Sequence, residues 1–265
     1  MTTTTVAAPR RLGRAGSFLR DIGLVFGREI RPELRTPIGL IAGMTQPLVF
    51  LALFGPLLSG MPGIGESPWQ WFVPGNLVMI GVFGTSGAGY HVLVESGGGS
   101  LERVLVTPLN RAAMLIGRTL KEAVTLLAQG VLIILAVLPF GFRLHPAGAA
   151  AGLALLAVTG IGIGSLSFAL ALAAKRTPSL FWGVQQTVLF PLLLLSGVLL
   201  PADQGPAWLA TASRVNPLTY VVEAERALFN GDLTAPAVGY GLLAAAAIAA
   251  VGLAAGIRGM RRAAL

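Results

Sequence analysis

The chain contains no cysteine, two histidines and, among its 19 basic residues, only two lysines. Without thiols there is no disulfide framework, no thiolate metal site and no thiol nucleophile. His91 and His145 are too few and too far apart to form a metal site. Neither Lys121 nor Lys175 follows a Gly-x-x-x-x-Gly run, which excludes a phosphate-binding loop. Gly97-Gly98-Gly99 reads as a flexible stretch and not as a nucleotide cradle. Charge is scarce as well. Only 11% of the 265 residues are charged, where a soluble domain carries about 25%. A chain this short of ionised side chains cannot keep a globular surface wet, so hydrocarbon must contact much of it.

What is present is apolar length. The chain is 54% hydrophobic, and a helix needs about 20 mostly apolar residues to cross a bilayer core of about 30 Å. Six apolar runs meet that length, the third with charge only in its first turn (Arg118, Lys121, Glu122): Ile38 to Leu58, Trp69 to Val94, Arg118 to Phe142, Ala147 to Ala174, Ser179 to Leu200 and Ala235 to Ile257. The expected fold is therefore an all-α integral membrane protein with six transmembrane helices. No Asp, Glu, Lys or Arg lies centrally in any of these runs, so the chain lacks the buried charges by which ion-driven carriers mark their coupling sites. It has no nucleophile–base pair either. If it moves something uphill, the energy must come from a partner.

The cations set an orientation. With the N-terminus in the cytoplasm, 16 of the 19 Lys and Arg residues fall on the inner side, and only Arg143, Arg214 and Arg226 fall outside. The reading is a multi-pass protein of the cell membrane with both termini cytoplasmic. The net charge of +8 sits at the edges of apolar segments and not on one polar face, which argues against nucleic acid as a partner.

Two segments are neither loop nor span. Residues 17–36 carry Phe18, Ile22, Phe26, Ile30 and Leu34 at four-residue spacing, with Arg20, Asp21, Arg28, Glu29 and Arg31 between them. That pattern gives an amphipathic helix in the membrane interface, broken by Pro32 and Pro37. Residues 1–16 ahead of it read as a disordered tail. Between spans five and six, Asn216 caps a helix opening at Pro217, and Asn230-Gly231 ends it. Leu218, Val221, Val222, Glu225, Leu228 and Phe229 share one side of it. Two short outer helices are expected there, with Trp208 at an interface position. Residues 37–258 form the spanning domain and 259–265 a basic cytoplasmic tail.

Three stretches carry a likeness to a known family. The first runs Glu95-Ser96-Gly97-Gly98-Gly99-Ser100-Leu101-Glu102-Arg103-Val104-Leu105-Val106-Thr107-Pro108-Leu109. The second is Pro191 through Ser196-Gly197 to Pro201, and the third is Trp208-Leu209 with Asn216-Pro217-Leu218-Thr219-Tyr220 and Arg226. Together and in this order they resemble the permease subunits of ABC-2-type exporters, in particular the daunorubicin-resistance group of bacterial drug-efflux permeases.

The resemblance implies a dimer, of identical or different subunits, paired with a separate ABC ATPase that holds the ATP and magnesium; this chain itself has no catalytic residue, no metal and no cofactor. It implies a coupling helix made of Leu101, Glu102, Arg103, Val104, Leu105, Thr107 and Pro108, with a second ATPase contact at Arg28, Glu29 and Arg31. Trp208, Asn216, Pro217, Tyr220 and Arg226 belong to an outer lid. Gln185 and Gln186 face the translocation route or hydrogen-bond a neighbouring helix. Membrane lipid and a small hydrophobic or amphiphilic substrate are the remaining expected partners. Export of a glycolipid or polysaccharide, and a non-transporting membrane scaffold, are the rival readings.

Overall fold

The computed structural model of the protein describes residues 14–36, 38–57, 67–97, 110–199 and 205–262. Most of the expected N-terminal tail, and all of the expected coupling helix Leu101–Pro108, lie outside the described residues. Every regular element among the described residues is helical: α1 Arg14–Arg35, α2 Ile38–Leu57, α3 Pro68–Ser86, α4 Ala88–Gly97, α5 Arg111–Val137, α6 Pro146–Ala173, α7 Pro178–Leu195, α8 Ala207–Val215, α9 Pro217–Phe229 and α10 Pro236–Arg262. Five of these helices open on proline, whose fixed φ suits a first turn and whose missing N–H would have no partner there.

Among the described residues, six helical stretches are long and apolar enough to cross a membrane: Ile38–Leu57, Pro68–Val94, Arg111–Phe140, Pro146–Ala173, Pro178–Leu195 and Pro236–Arg262. The protein is an all-α integral membrane protein, as the apolar runs imply. The third span differs from expectation at its start. It begins at Arg111 instead of Arg118, where the Asn110 side chain caps the helix. The fifth ends at Leu195 instead of Leu200, where Gly197 turns the chain with φ of 75°. The sixth continues to Arg262, beyond the expected boundary at 258.

The centre of the bundle is α6, which packs against α10, α5, α4, α3 and α9. Its small residues permit this. A Cβ at Gly162 would stand 2.7 Å from the Ala249 nitrogen, and one at Gly252 would stand 2.1 Å from the Gly162 carbonyl oxygen. Backbone therefore meets backbone where α6 and α10 cross, as small-residue spacing allows in membranes. Next to them α3 is buried on all sides from Phe72 to Val82. By contrast α2 and α7 bury few residues and turn Ile41, Leu53, Leu180, Trp182 and Phe190 outward.

The N-terminal helix α1 is present, with one departure from its expected form. Pro32 lies inside it and does not stop it; the helix runs to Arg35. So near the end the ring removes a single backbone bond. Of the apolar stripe at four-residue spacing, Phe18, Ile22, Phe26 and Ile30 are half-buried. At about 100° per residue such a stripe drifts about 40° per turn around the axis, so Leu34 ends exposed. Val25 instead enters the core, against Gly117 of α5.

Candidate functional site

At the end of the bundle where the cations collect, α1 lies along the first turns of α5. Asn110 caps α5, its side-chain oxygen accepting from the Ala112 N–H at 2.9 Å, while its own N–H donates to Asp21 of α1 at 3.2 Å. One turn on, the Val25 side chain packs where Gly117 leaves room; a Cβ at 117 would stand 2.8 Å from it. Ion pairs follow. The Arg118 guanidinium, 7% exposed, lies 3.4 Å from Glu29, and the Lys121 ammonium lies 2.8 Å from Glu33 and 3.2 Å from Glu122. Desolvated cations need such partners, because a charge taken out of water unpaired costs several kcal/mol.

This junction bears on the residues expected to meet an ATPase. Arg28 and Arg31 are exposed, but Glu29 is turned inward onto Arg118, with Arg28 3.8 Å away on its outer side. The expected coupling helix lies outside the described residues, yet both ends of its loop are anchored. One end is α4, which closes at Gly97, and the other is Asn110, tied to α1. The pairing of α1 with α5 was not read from the sequence. Its signal was there: Glu29 and Glu33 stand one helical turn apart, as do Arg118 and Lys121.

Span two is interrupted between α3 and α4. Tyr90 N–H bonds to the Gly87 carbonyl, three residues back, which frees the Ser86 carbonyl. Two side chains take it up: the Ser167 hydroxyl of α6 and the Gln185 amide of α7 both donate to it. The same Ser167 hydroxyl accepts from the Gly89 N–H at 2.9 Å. Gln185 is thus a buried helix-to-helix donor, while Gln186 beside it is exposed. No helix break in span two, and no role for Ser167, was foreseen; Gly87 and Gly89 were the available signal.

At the opposite end the residues expected in a lid lie on and around α9. Asn216 accepts from the Leu218 N–H at 3.0 Å and donates to the Leu192 carbonyl at 2.6 Å, fixing α9 to the end of α7. Tyr220 O–H donates to the Arg214 carbonyl at 2.7 Å, closing α9 onto α8. The Arg226 guanidinium stacks 3.7 Å over the Trp71 ring and donates to the carbonyls of Trp71 and Gly197. It therefore ties α9 to α3 and to the turn after α7. Trp208 is exposed, as an interfacial side chain would be. Glu225 stands out. It is fully buried against Gly152 and Phe229, neither carboxyl oxygen has a hydrogen-bond partner, and burial pushes its pKa well up. Sequence reading placed it on the buried side without weighing its charge.

Among the described residues no three His, Asp or Glu side chains gather to hold a metal. What the arrangement can do is mechanical: a paired surface helix and a loop at one end, a stapled cap at the other, and a broken span between.

Comparison with known proteins agrees with that character. Residues 20–230 match the family described as ABC-2 type transporter. The chain is 32% identical over 219 residues to the ycf38 protein of Cyanophora paradoxa, named as a transport permease, covering 80% of this chain and 75% of that one. It is 27% identical over 218 residues to the daunorubicin resistance ABC transporter permease protein DrrB1 of Streptomyces coeruleorubidus, covering 81% and 77%. It is 26% identical over 170 residues to YbhR of Escherichia coli K12, named as a multidrug ABC transporter permease, covering 62% of this chain and 45% of that one. With six apolar spans in the structure and four-fifths of its length matched, the chain belongs to the ABC-2 type transporter family.

Proposed function

We propose that the chain is the membrane half of an ATP-driven exporter, carrying a hydrophobic or amphiphilic small molecule such as an antibiotic out of the cell. ATP and magnesium are held and hydrolysed on a separate ABC ATPase, two copies of which pair with two permease subunits. The subunit sits in the cell membrane with both termini cytoplasmic, so that α1 and the loop 98–109 face the ATPase. The drug-resistance and multidrug names of two relatives support the cargo class.

The observation that carries this reading is the α1–α5 junction. A surface helix is ion-paired to the first turns of a span, and the same turns anchor the loop holding Leu101, Glu102, Arg103, Val104, Leu105, Thr107 and Pro108. A push on that loop reaches α4 on one side and α5 with α1 on the other. At α4 it meets the interrupted backbone at Ser86, where span two bends most easily. Arg28 and Arg31, exposed on α1, make the second contact with the ATPase. The cap built on Asn216, Pro217, Tyr220 and Arg226, with Trp208 beside it, opens or closes the outer end. Gln186, exposed on α7, faces the route.

The test is co-expression with a candidate ATPase, comparing wild type with Glu102→Ala/Arg103→Ala in the same inside-out vesicles. The wild type is expected to co-purify with the ATPase and drive ATP-dependent uptake of a drug. The double variant is expected to stay folded and lose at least tenfold of the coupled activity. A wild type that binds no ATPase, or a double variant that transports normally, overturns the reading.

A further inference from the structure

The cap around α9 carries one acid that the arrangement described so far does not use. Glu225, at 0% exposure, points from α9 into the contact with α6. A Cβ at Gly152 would stand 2.5 Å from its Oε2 and 2.7 Å from the Phe229 ring. So close an approach needs glycine, and the seat of α9 has it on two helices. Gly148 and Gly152 of α6 meet Leu228 and Glu225, and Gly241 of α10 meets Ala224. The carboxyl is therefore enclosed by close-packed backbone and apolar side chains whenever α9 is seated.

Few ionisable groups surround it. Among the helices packed on α9, α3, α6 and α7 carry none. On α8 there is Arg214, and on α10 Tyr240, with Arg258, Arg261 and Arg262 at the far end. On α9 itself Glu223 is exposed, and the Arg226 guanidinium lies over the Trp71 ring and at the carbonyls of Trp71 and Gly197. In the adjoining turns Arg143 and Asp232 are exposed, and His145 Nδ1 bonds to the Phe229 carbonyl at 3.0 Å. None of these hydrogen-bonds to either Glu225 oxygen. Neutral, the carboxyl can stay in that place. Ionised and unpaired it is strongly disfavoured there, because a lone charge loses its hydration without compensation. The bonds that hold α9 down run from side chains to carbonyls of other elements, from Asn216 to Leu192 and from Arg226 to Trp71 and Gly197. Water can replace such bonds one at a time.

We propose that Glu225 is a proton-binding site that latches the cap: α9 is seated while the carboxyl holds its proton, and it lifts when that proton passes to the water that opening admits. One proton is released per opening. The latch rests on the exporter reading for its role, which is to make the outer gate answer to the pH outside the cell, but not for the linkage itself. Burial raises the pKa of the seated carboxyl well above its ordinary value of 4.5. Below pH 4.5 seated and lifted forms both hold the proton, and their ratio is constant. Above it the lifted form loses the proton first, so lifting gains about tenfold per pH unit until the raised value of the seated form is reached.

Hydrogen–deuterium exchange of the purified chain in lipid nanodiscs, with no ATPase present, reads the lifting directly. The quantity is the protection of amides in Leu218–Phe229, corrected for the intrinsic exchange rate at each pH. From about pH 5 to about pH 7 the opening constant of this segment is expected to rise at least about tenfold in the wild type. It should stay flat in Glu225→Gln, which keeps the shape and cannot ionise. Whatever His145 contributes through the Phe229 carbonyl is present in both proteins and cancels. Segments of α5 and α6 in the same samples should keep their protection across the series. A flat wild type overturns the proposal, and that arm needs no variant to fold. So does the same slope in Glu225→Gln, or a loss of protection spread equally over α5 and α6, which would make Glu225 a matter of general stability alone. ATP-driven uptake in vesicles with the ATPase is read separately: proton-linked lifting without uptake sinks the exporter reading and leaves the latch standing.

Discussion

The crossing of α6 and α10 gives a prediction whose size can be worked from distances. A Cβ at Gly252 would stand 2.1 Å from the Gly162 carbonyl oxygen, 2.8 Å from its carbonyl carbon and 3.0 Å from its Cα. All three atoms are backbone, so no rotamer change relieves the clash. Ordinary contact begins near 3.4 Å, so Gly252→Ala must part the helices locally by about 1.3 Å. Overpacking of that kind costs about 1–3 kcal/mol, while replacing glycine by alanine inside a helix returns up to about 1 kcal/mol. The net expectation is a loss of roughly 1–2 kcal/mol, or about 3–6 °C in the thermal midpoint of a chain this size. Gly239→Ala, in the same helix with open space around it, keeps only the propensity gain and should be neutral or slightly stabilising. Fluorescence-detected size-exclusion after a temperature series reads both variants in one detergent. If Gly252→Ala is as stable as Gly239→Ala, the close approach of α6 and α10 is wrong.

Three further outcomes are expected. Glu29→Gln removes a carboxylate 3.4 Å from the largely buried Arg118 and should destabilise by roughly 1–2 kcal/mol; Glu29→Gln/Arg118→Gln should recover part of that, and its failure to do so in thermal melts would sink the pairing. Asn216→Ala removes both the cap of α9 and the bond to Leu192, at about 1–2 kcal/mol, whereas Asn216→Ser keeps the cap and should lose less; limited proteolysis of the segment around α8 and α9 reports the order. Glu225 carries a pH signature. At pH below its ordinary value of 4.5 both folded and unfolded states hold the proton. As pH rises from there to the raised value in the fold, the unfolded state loses its proton first, so native stability falls across that window and then levels. The stability gained by Glu225→Leu should therefore be larger at pH 8 than at pH 4.5, and an equal gain at both would refute an ionising group in that environment.

Which features could be read from the sequence follows from how local their causes are. The helix α9 was legible in full. Its cap at Asn216, its Pro217 opening and its Asn230-Gly231 close are neighbours in sequence, and its buried side follows from helical spacing. The six spans were legible because hydrocarbon thickness sets their length. The ion pairing at the start of α5 was not. Arg118, Lys121 and Glu122 look like a membrane edge until carboxylates from α1 pair with the cations, and those come from residues nearly ninety positions away. Likewise Gln185 could be offered either to a route or to a neighbouring helix. Only the free Ser86 carbonyl, which exists because Gly87 interrupts the ladder, decides for its burial. The end of α7 was within reach, since Ser196-Gly197 sat in a stretch already singled out, but the apolar run through Leu199 and Leu200 outweighed it.

The interruption at Gly87 has a mechanical corollary. An intact helix resists bending because each turn is closed by backbone bonds that must break together. Between α3 and α4 the closure is lent by Ser167 and Gln185, two side chains belonging to other helices. Side-chain bonds can lengthen or change partner one at a time, so stiffness there is low and is set by how α6 and α7 sit. Above the joint, Phe72 to Val82 are clamped on every side. A displacement entering from below would be absorbed as an angle at one residue, and its size would be governed by α6 and α7. Span two works as a crank with a borrowed bearing.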